Sequence, residues 1–135
     1  MAYILLIDDD HDFAAATATV LKNAGHDVKI ELDINNALNT MNKKIPDLVI
    51  MDVMFPQNPS AGFDLARKMR HNNNNLLKNI PLLMLTAINS KFPLGLGAND
   101  ADKSWLTITD FLEKPVNLDI LLNKVAHLVY KDTKV

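Results

Sequence analysis

Five polar residues stand at or just past the ends of short apolar runs. Asp8 and Asp9 follow Tyr3–Ile7, Asp52 follows Leu48–Met51, Thr86 follows Leu82–Leu85, and Lys114 comes soon after the mixed run Ile108–Leu112. If these runs are strands of one sheet, the five residues meet along one edge. Carboxylates gathered there repel one another unless a cation joins them. Oxygen-only ligands suit a hard cation such as Mg²⁺, which keeps several of its waters. A main-chain carbonyl just past Asp52, at Met54, supplies one more oxygen. An aspartate carboxylate is a nucleophile that forms aspartyl phosphates, and Asp52 is the natural one here. The cation and the Lys114 ammonium then offset the charge of an incoming phosphoryl group. The Thr86 hydroxyl donates to a phosphoryl oxygen. Each residue alone has an ordinary alternative, as a helix cap or a turn residue. The whole set at successive strand ends is what points to phosphoryl chemistry.

The elements that must position these residues are legible in the apolar pattern. Strand-length runs at Tyr3–Ile7, Val28–Leu32, Leu48–Met51, Leu82–Leu85 and Ile108–Leu112 alternate with amphipathic stretches. The first, third and fourth runs are apolar on both faces, as expected of parallel strands covered by helices on both sides. Phe13, Ala16, Val20, Leu21 and Ala24 form one helical stripe, stopped by Gly25. Ile34, Ala37, Leu38 and Met41 form a second, with Asp33 as its N-cap. Phe63, Ala66 and Met69, extended to Arg70, form a third. Leu118, Leu121, Leu122, Val125 and Val129 form the last, capped by Asn117. The order β-α-β-α-β-α-β-β-α implies an α/β fold with a parallel sheet and right-handed crossovers. In such open sheets the binding crevice lies at the carboxyl ends of the strands, where strand order reverses.

One segment breaks the alternation. Between Ile88 and Thr107 a helix is expected, but Pro93, Gly95 and Gly97 oppose a regular one. A short helical piece near Asp100–Trp105 is the most this stretch predicts, with Asp100 and Asp102 as caps and Trp105 over a local apolar patch. The tract Asn72–Asn75 reads as an exposed connection. His11, His26, His71 and His127 are scattered without metal-ligand spacing and read as surface or cap residues.

Composition excludes several classes. The chain has 135 residues, 48% of them apolar and 22% charged, a globular composition. This predicts a single domain over residues 1–135, with no output domain. A net charge of −2 gives no electrostatic basis for broad nucleic-acid or membrane binding. There is no cysteine, hence no disulfide, thiolate site or cysteine nucleophile, and the reducing cytoplasm is the natural compartment. The N-terminus carries no secretory pattern, and no apolar run approaches the ~20 residues of a membrane span.

Taken together, the segments Ile4-Leu5-Leu6-Ile7-Asp8-Asp9-Asp10, Asp47-Leu48-Val49-Ile50-Met51-Asp52-Val53-Met54-Phe55-Pro56, Gly62-Phe63, Leu85-Thr86-Ala87 and Phe111-Leu112-Glu113-Lys114-Pro115 resemble a response-regulator receiver domain of two-component signalling. The resemblance covers nearly the whole chain. It implies a flavodoxin-like, doubly wound sheet of five parallel strands in the order 2-1-3-4-5, here with an irregular or shortened fourth helix. It implies that Asp52 is the phosphoacceptor and that Asp9 and Asp52 ligate Mg²⁺ or Mn²⁺. Asp8 would join them directly or through water, and Met54 through its carbonyl. It implies a switch in which Thr86 and the aromatic Phe111 respond to phosphate, and a cis Lys114-Pro115 bond. The implied phosphodonor is a sensor histidine kinase or phosphotransfer protein, the implied output an unidentified protein target, and the implied catalysis confined to the chain's own phosphorylation and dephosphorylation.

Two segments depart from the family pattern: Gln57–Ala61 lengthens the connection after Asp52, and the stretch between Thr86 and Lys114 is also extended. Two other functions compete. An α/β phosphohydrolase with an aspartate nucleophile commonly carries a second acid two residues on, where this chain has Met54. A receiver-like module that no longer takes phosphate would not need the intact set Asp8, Asp9, Asp52, Thr86 and Lys114.

Overall fold

The computed structural model describes residues 2–52, 61–72, 74–87, 110–114 and 116–130. Strands β1 (Tyr3–Ile7), β2 (Asp27–Glu31), β3 (Leu48–Asp52), β4 (Leu82–Ala87) and β5 (Asp110–Lys114) form one parallel sheet in the order β2-β1-β3-β4-β5. The central strands are uninterrupted apolar runs because both their faces are covered. Successive side chains point to opposite faces. Leu5, Ile7, Val49, Met51, Leu82 and Met84 therefore pack on one side, with α2 (Ala37–Lys43) and α3 (Ala61–Arg70). Ile4, Leu6, Leu48, Ile50, Leu83 and Leu85 pack on the other, with α1 (His11–Asn23) and α5 (Leu118–Tyr130). β2 is an edge strand, and its exposed Asp27 and Lys29 alternate with buried Val28, which blunts the edge.

Local signals set the helix ends. The Asp10 carboxylate accepts from the Phe13 N–H at 3.1 Å and caps α1. At the other end, Gly25 N–H donates to Lys22 O at 3.0 Å and His26 N–H to Leu21 O at 3.1 Å. This is a Schellman stop, and Gly25 takes the φ of +98° that it requires. Asp33 caps the 3-10 turn Ile34–Asn36 that leads into α2, as expected, through the Asn35 N–H. Asn117 caps α5 by accepting from the N–H groups of Asp119 and Ile120 at 2.9 and 3.2 Å.

Several expectations are corrected. The buried face of α1 is Ala14, Thr17, Ala18 and Leu21, while Ala16 and Ala24 are exposed and Phe13 and Val20 half-buried. Alanine occurs at positions 14, 15, 16, 18 and 24, so hydrophobicity alone cannot orient this helix. Small side chains turn toward the sheet and bring the backbone close. Leu118 is exposed, and the buried stripe of α5 runs through Leu121, Val125 and Leu128. β2 begins and ends one residue earlier than Val28–Leu32, and β5 runs on to Lys114, because pairing of Thr86 with Glu113 and Ala87 with Lys114 continues the ladder. The Asn72–Asn75 connection leads into a single helical turn, α4 (Asn75–Lys78). The irregular segment 88–107, the short helix near Asp100, Trp105 and the Lys114-Pro115 bond lie outside the described residues.

Arg70 explains how the end of α3 can carry a charged residue on its packed side. The guanidinium is half-buried and donates to Lys78 O at 3.0 Å and Ile80 O at 2.7 Å, closing α4 and anchoring the approach to β4. Burial pushes its pKa down from the ordinary value, but it remains a cation. Arg70→Met keeps the apolar stem and removes the donors, and should cost about 1.5–3 kcal/mol, read as a lowered urea midpoint.

His26 is also corrected: its main chain belongs to the cap of α1, but its side chain is buried at 8% exposure. Burial lowers its pKa from the ordinary 6.5. Above the unfolded value both states are neutral, and His26 contributes nothing to the pH dependence. As pH falls below about 6.5, the unfolded chain takes up the proton first, so stability drops until the lower folded pKa is reached. His26→Gln should flatten the fall of stability with pH in that window, measured by urea unfolding at stepped pH.

Candidate functional site

The register builds the crevice. Ile7 lies opposite Met51, so the next residues, Asp8 and Asp52, stand side by side at the carboxyl ends of β1 and β3. Asp52 lies opposite Leu85, which puts Thr86 one step beyond it on β4. Thr86 in turn lies opposite Glu113, with Lys114 one step beyond on β5. The edge is thus a staircase of backbone positions from Asp8 to Lys114. It begins between β1 and β3, where the chain leaves β1 toward β2 on one side and leaves β3 toward β4 on the other, the reversal that opens a crevice.

The three carboxylates come together. Ligand oxygens of Asp8, Asp9 and Asp52 all lie within 4.8 Å of one another. Asp8 is fully buried and Asp52 is 4% exposed, whereas Asp9 faces solvent. Two carboxylates this deep tolerate burial only when paired or hydrogen-bonded. Asp8 Oδ1 accepts from the Asp10 N–H at 2.9 Å, and the Asp8 N–H donates to Glu31 O at 3.2 Å, so side chain and main chain are both held. The donor set is oxygen only, partly buried and open on the Asp9 side. It fits a hard divalent cation that keeps water ligands, and it lacks the nitrogen or sulfur donors that zinc favours.

The other expected site residues divide by what is described. Thr86 and Lys114 occupy their strand ends by backbone position, and Phe111 lies opposite Met84 within β5. Met54 lies outside the described residues. Glu31 is the residue that the motif reading passes over. Its main chain holds Asp8, and its half-buried carboxylate accepts from Thr40, Asn36 and the Asp33 N–H. The available signal is a glutamate closing a strand three residues after a buried valine, which any solvated strand end would also give. Among the described residues, no helix is long and apolar enough to cross a membrane.

The sequence profile of the response regulator receiver domain matches residues 4–126, and the chain belongs to that family. Receiver domains of this family are generally signalling modules of two-component systems. The chain is 34% identical over 123 residues to the CAI-1 autoinducer sensor kinase/phosphatase CqsS of Vibrio cholerae, covering 91% of this chain and 17% of that protein. It therefore spans only a small part of that relative's length. Among solved structures, the receiver domain of the Francisella response regulator 1452 superposes with a TM-score of 0.78 at 28% identity, covering 99% of this chain and all of the other. The chemotaxis response regulator CheY4 of Vibrio cholerae superposes with a TM-score of 0.77 at 26% identity, covering 95% of this chain and 98% of that one.

Proposed function

We propose that this receiver domain takes a phosphoryl group from the phosphohistidine of a sensor kinase or phosphotransfer protein onto Asp52, and that the phosphorylated form binds a protein target. The observation that carries the reading is the Asp52 carboxylate, buried to 4% exposure yet gathered with Asp8 and Asp9 at the crevice. A carboxylate oxygen of Asp52 attacks phosphorus in line with the phosphorus–nitrogen bond. That bond breaks, its electron pair returns to the donor imidazole, and the imidazole takes a proton from solvent. Asp8, directly or through water, Asp9, Asp52 and the Met54 carbonyl would hold Mg²⁺ or Mn²⁺, which supplies positive charge beside the phosphoryl oxygens. The Lys114 ammonium adds charge from the β5 side, and the Thr86 hydroxyl donates to a phosphoryl oxygen. Movement of Thr86 toward the phosphate lets Phe111 repack, which changes the face seen by the target. The cytoplasm, where such kinases present their phosphohistidines, is the matching compartment.

Incubation with acetyl phosphate and Mg²⁺, followed by intact mass measurement, tests this reading. The expected result is gain of one phosphate, abolished by EDTA, and a melting temperature that rises with Mg²⁺ in the metal-free protein. Turnover of external phosphoesters would instead identify a phosphohydrolase. No adduct and no thermal response would identify a phosphate-independent module.

A further inference from the structure

Glu31 closes β2 beside the crevice and joins it to the helix behind. Its carboxylate Oε1 accepts from Thr40 Oγ1 on α2 at 2.8 Å and from Asn36 Nδ2 in the 3-10 turn at 3.1 Å. Its Oε2 accepts from the Asp33 N–H at 3.3 Å. The Thr40 hydroxyl also lies 3.2 Å from Asn36 O, but it has one proton to give, and the ionised, nearer carboxylate is the stronger acceptor. Three donors from the following turn and helix thus fix one side chain. The main-chain carbonyl of the same residue accepts the Asp8 N–H at 3.2 Å, beyond the last β1–β2 pair, Ile7 with Glu31. The Asp8 main chain at this point has left the strand, yet its N–H still bonds to the Glu31 carbonyl.

We propose that Glu31 is a positioning residue for divalent-cation binding at the acidic crevice. Its carboxylate latch to Thr40 and Asn36 holds the end of β2, and the Asp8 N–H to Glu31 carbonyl bond passes that order to Asp8. The inference rests on the reading of Asp8 as a cation ligand. Glu31 itself stays outside the group of Asp8, Asp9 and Asp52 whose oxygens converge. Groups that orient metal ligands from outside typically matter by about tenfold to a hundredfold in affinity. A general effect of negative charge near the crevice would act without any latch, so the two are separable by variants that keep one and remove the other.

Titration of the metal-free protein with Mg²⁺ alone, by calorimetry, is to be compared for the native chain, Glu31→Ala, Glu31→Gln and Thr40→Val. The expected result is about tenfold weaker Mg²⁺ binding in Glu31→Ala. Thr40→Val, which leaves every charge in place, should weaken binding several-fold. Glu31→Gln should stay closer to the native affinity than Glu31→Ala does, because its amide oxygen still accepts from Thr40 and Asn36 while its NH2 loses only the bond from the Asp33 N–H. Without metal, the Asp8 amide should exchange with solvent faster in Glu31→Ala and Thr40→Val, while the Leu5 and Leu6 amides keep their protection. Unchanged affinity and exchange in both of these variants would overturn the proposal. So would a Glu31→Gln as weak as Glu31→Ala beside a native-like Thr40→Val, which would assign the effect to charge. If the native protein binds no Mg²⁺, the crevice reading falls and the proposal with it. Thr40→Val keeps the test decisive should Glu31→Ala not fold.

Discussion

Asp52→Asn is expected to fold, to keep its thermal stability or gain in it, and to take up no phosphate from acetyl phosphate in Mg²⁺ buffer. The amide matches the carboxylate in shape, so the packing at the end of β3 survives. It is not a competent nucleophile, so the bond to phosphorus cannot form. The expected effect on phosphate uptake is complete loss, larger than any stability effect in this molecule. Stability moves the other way. Three carboxylates with oxygens within 4.8 Å of one another repel in the metal-free protein, and removing the charge at the buried Asp52 relieves that repulsion. A gain of about 1 kcal/mol would raise the melting temperature by a few degrees. The same variant should lose most of its thermal response to Mg²⁺, since a ligand oxygen set has lost one of its charges. Intact mass and a melting curve with and without Mg²⁺ check both halves. Phosphate gain in Asp52→Asn would move the acceptor elsewhere.

The second large effect concerns the lifetime of the phosphorylated state. Hydrolysis of an aspartyl phosphate needs a water in line with the phosphorus–oxygen bond. Resemblance to receiver domains implies that the residues two past the acceptor and two past the threonine tune this step. Here they are Met54 and Ile88, both apolar and unable to orient a water. A slow self-dephosphorylation is therefore expected in the native chain. Met54→Asn combined with Ile88→Glu should shorten the lifetime. One hydrogen bond to the attacking water, worth about 1–3 kcal/mol in the transition state, corresponds to about tenfold to a hundredfold in rate. Decay of the phosphoprotein after removal of the donor gives the answer. Decay within seconds in the native chain, or no acceleration in the double variant, would assign control of the water to another group.

The contrast between what the sequence disclosed and what it concealed has a physical origin. Ile4–Ile7 and Leu48–Met51 announce themselves because a strand buried on both faces must be apolar at every position. Setting the ends of the two apolar runs level puts Ile7 opposite Met51, and with it Asp8 beside Asp52. The caps Asp33 and Asn117 and the stop at Gly25 were equally legible, since each side chain or φ angle serves one local bond. The orientation of α1 was not, because its alanines carry almost no directional signal. His26 looked like a surface residue because the fold back of the Schellman stop, and not its polarity, buries it. Glu31 was invisible for a related reason: its partners Asn36 and Thr40 are brought to it only when the 3-10 turn and α2 have formed. Arg70 likewise finds the Lys78 and Ile80 carbonyls only after α4 closes.

The most direct test of Asp52 as the phosphoacceptor is chemical localisation of the phosphate. The protein is phosphorylated with acetyl phosphate and Mg²⁺, reduced with borohydride, which converts an aspartyl phosphate to homoserine, and digested for peptide mass mapping. Homoserine at position 52, with Asp8 and Asp9 unchanged, is the result expected. Homoserine at another position, or none in a protein that has gained the phosphate mass, would contradict the assignment.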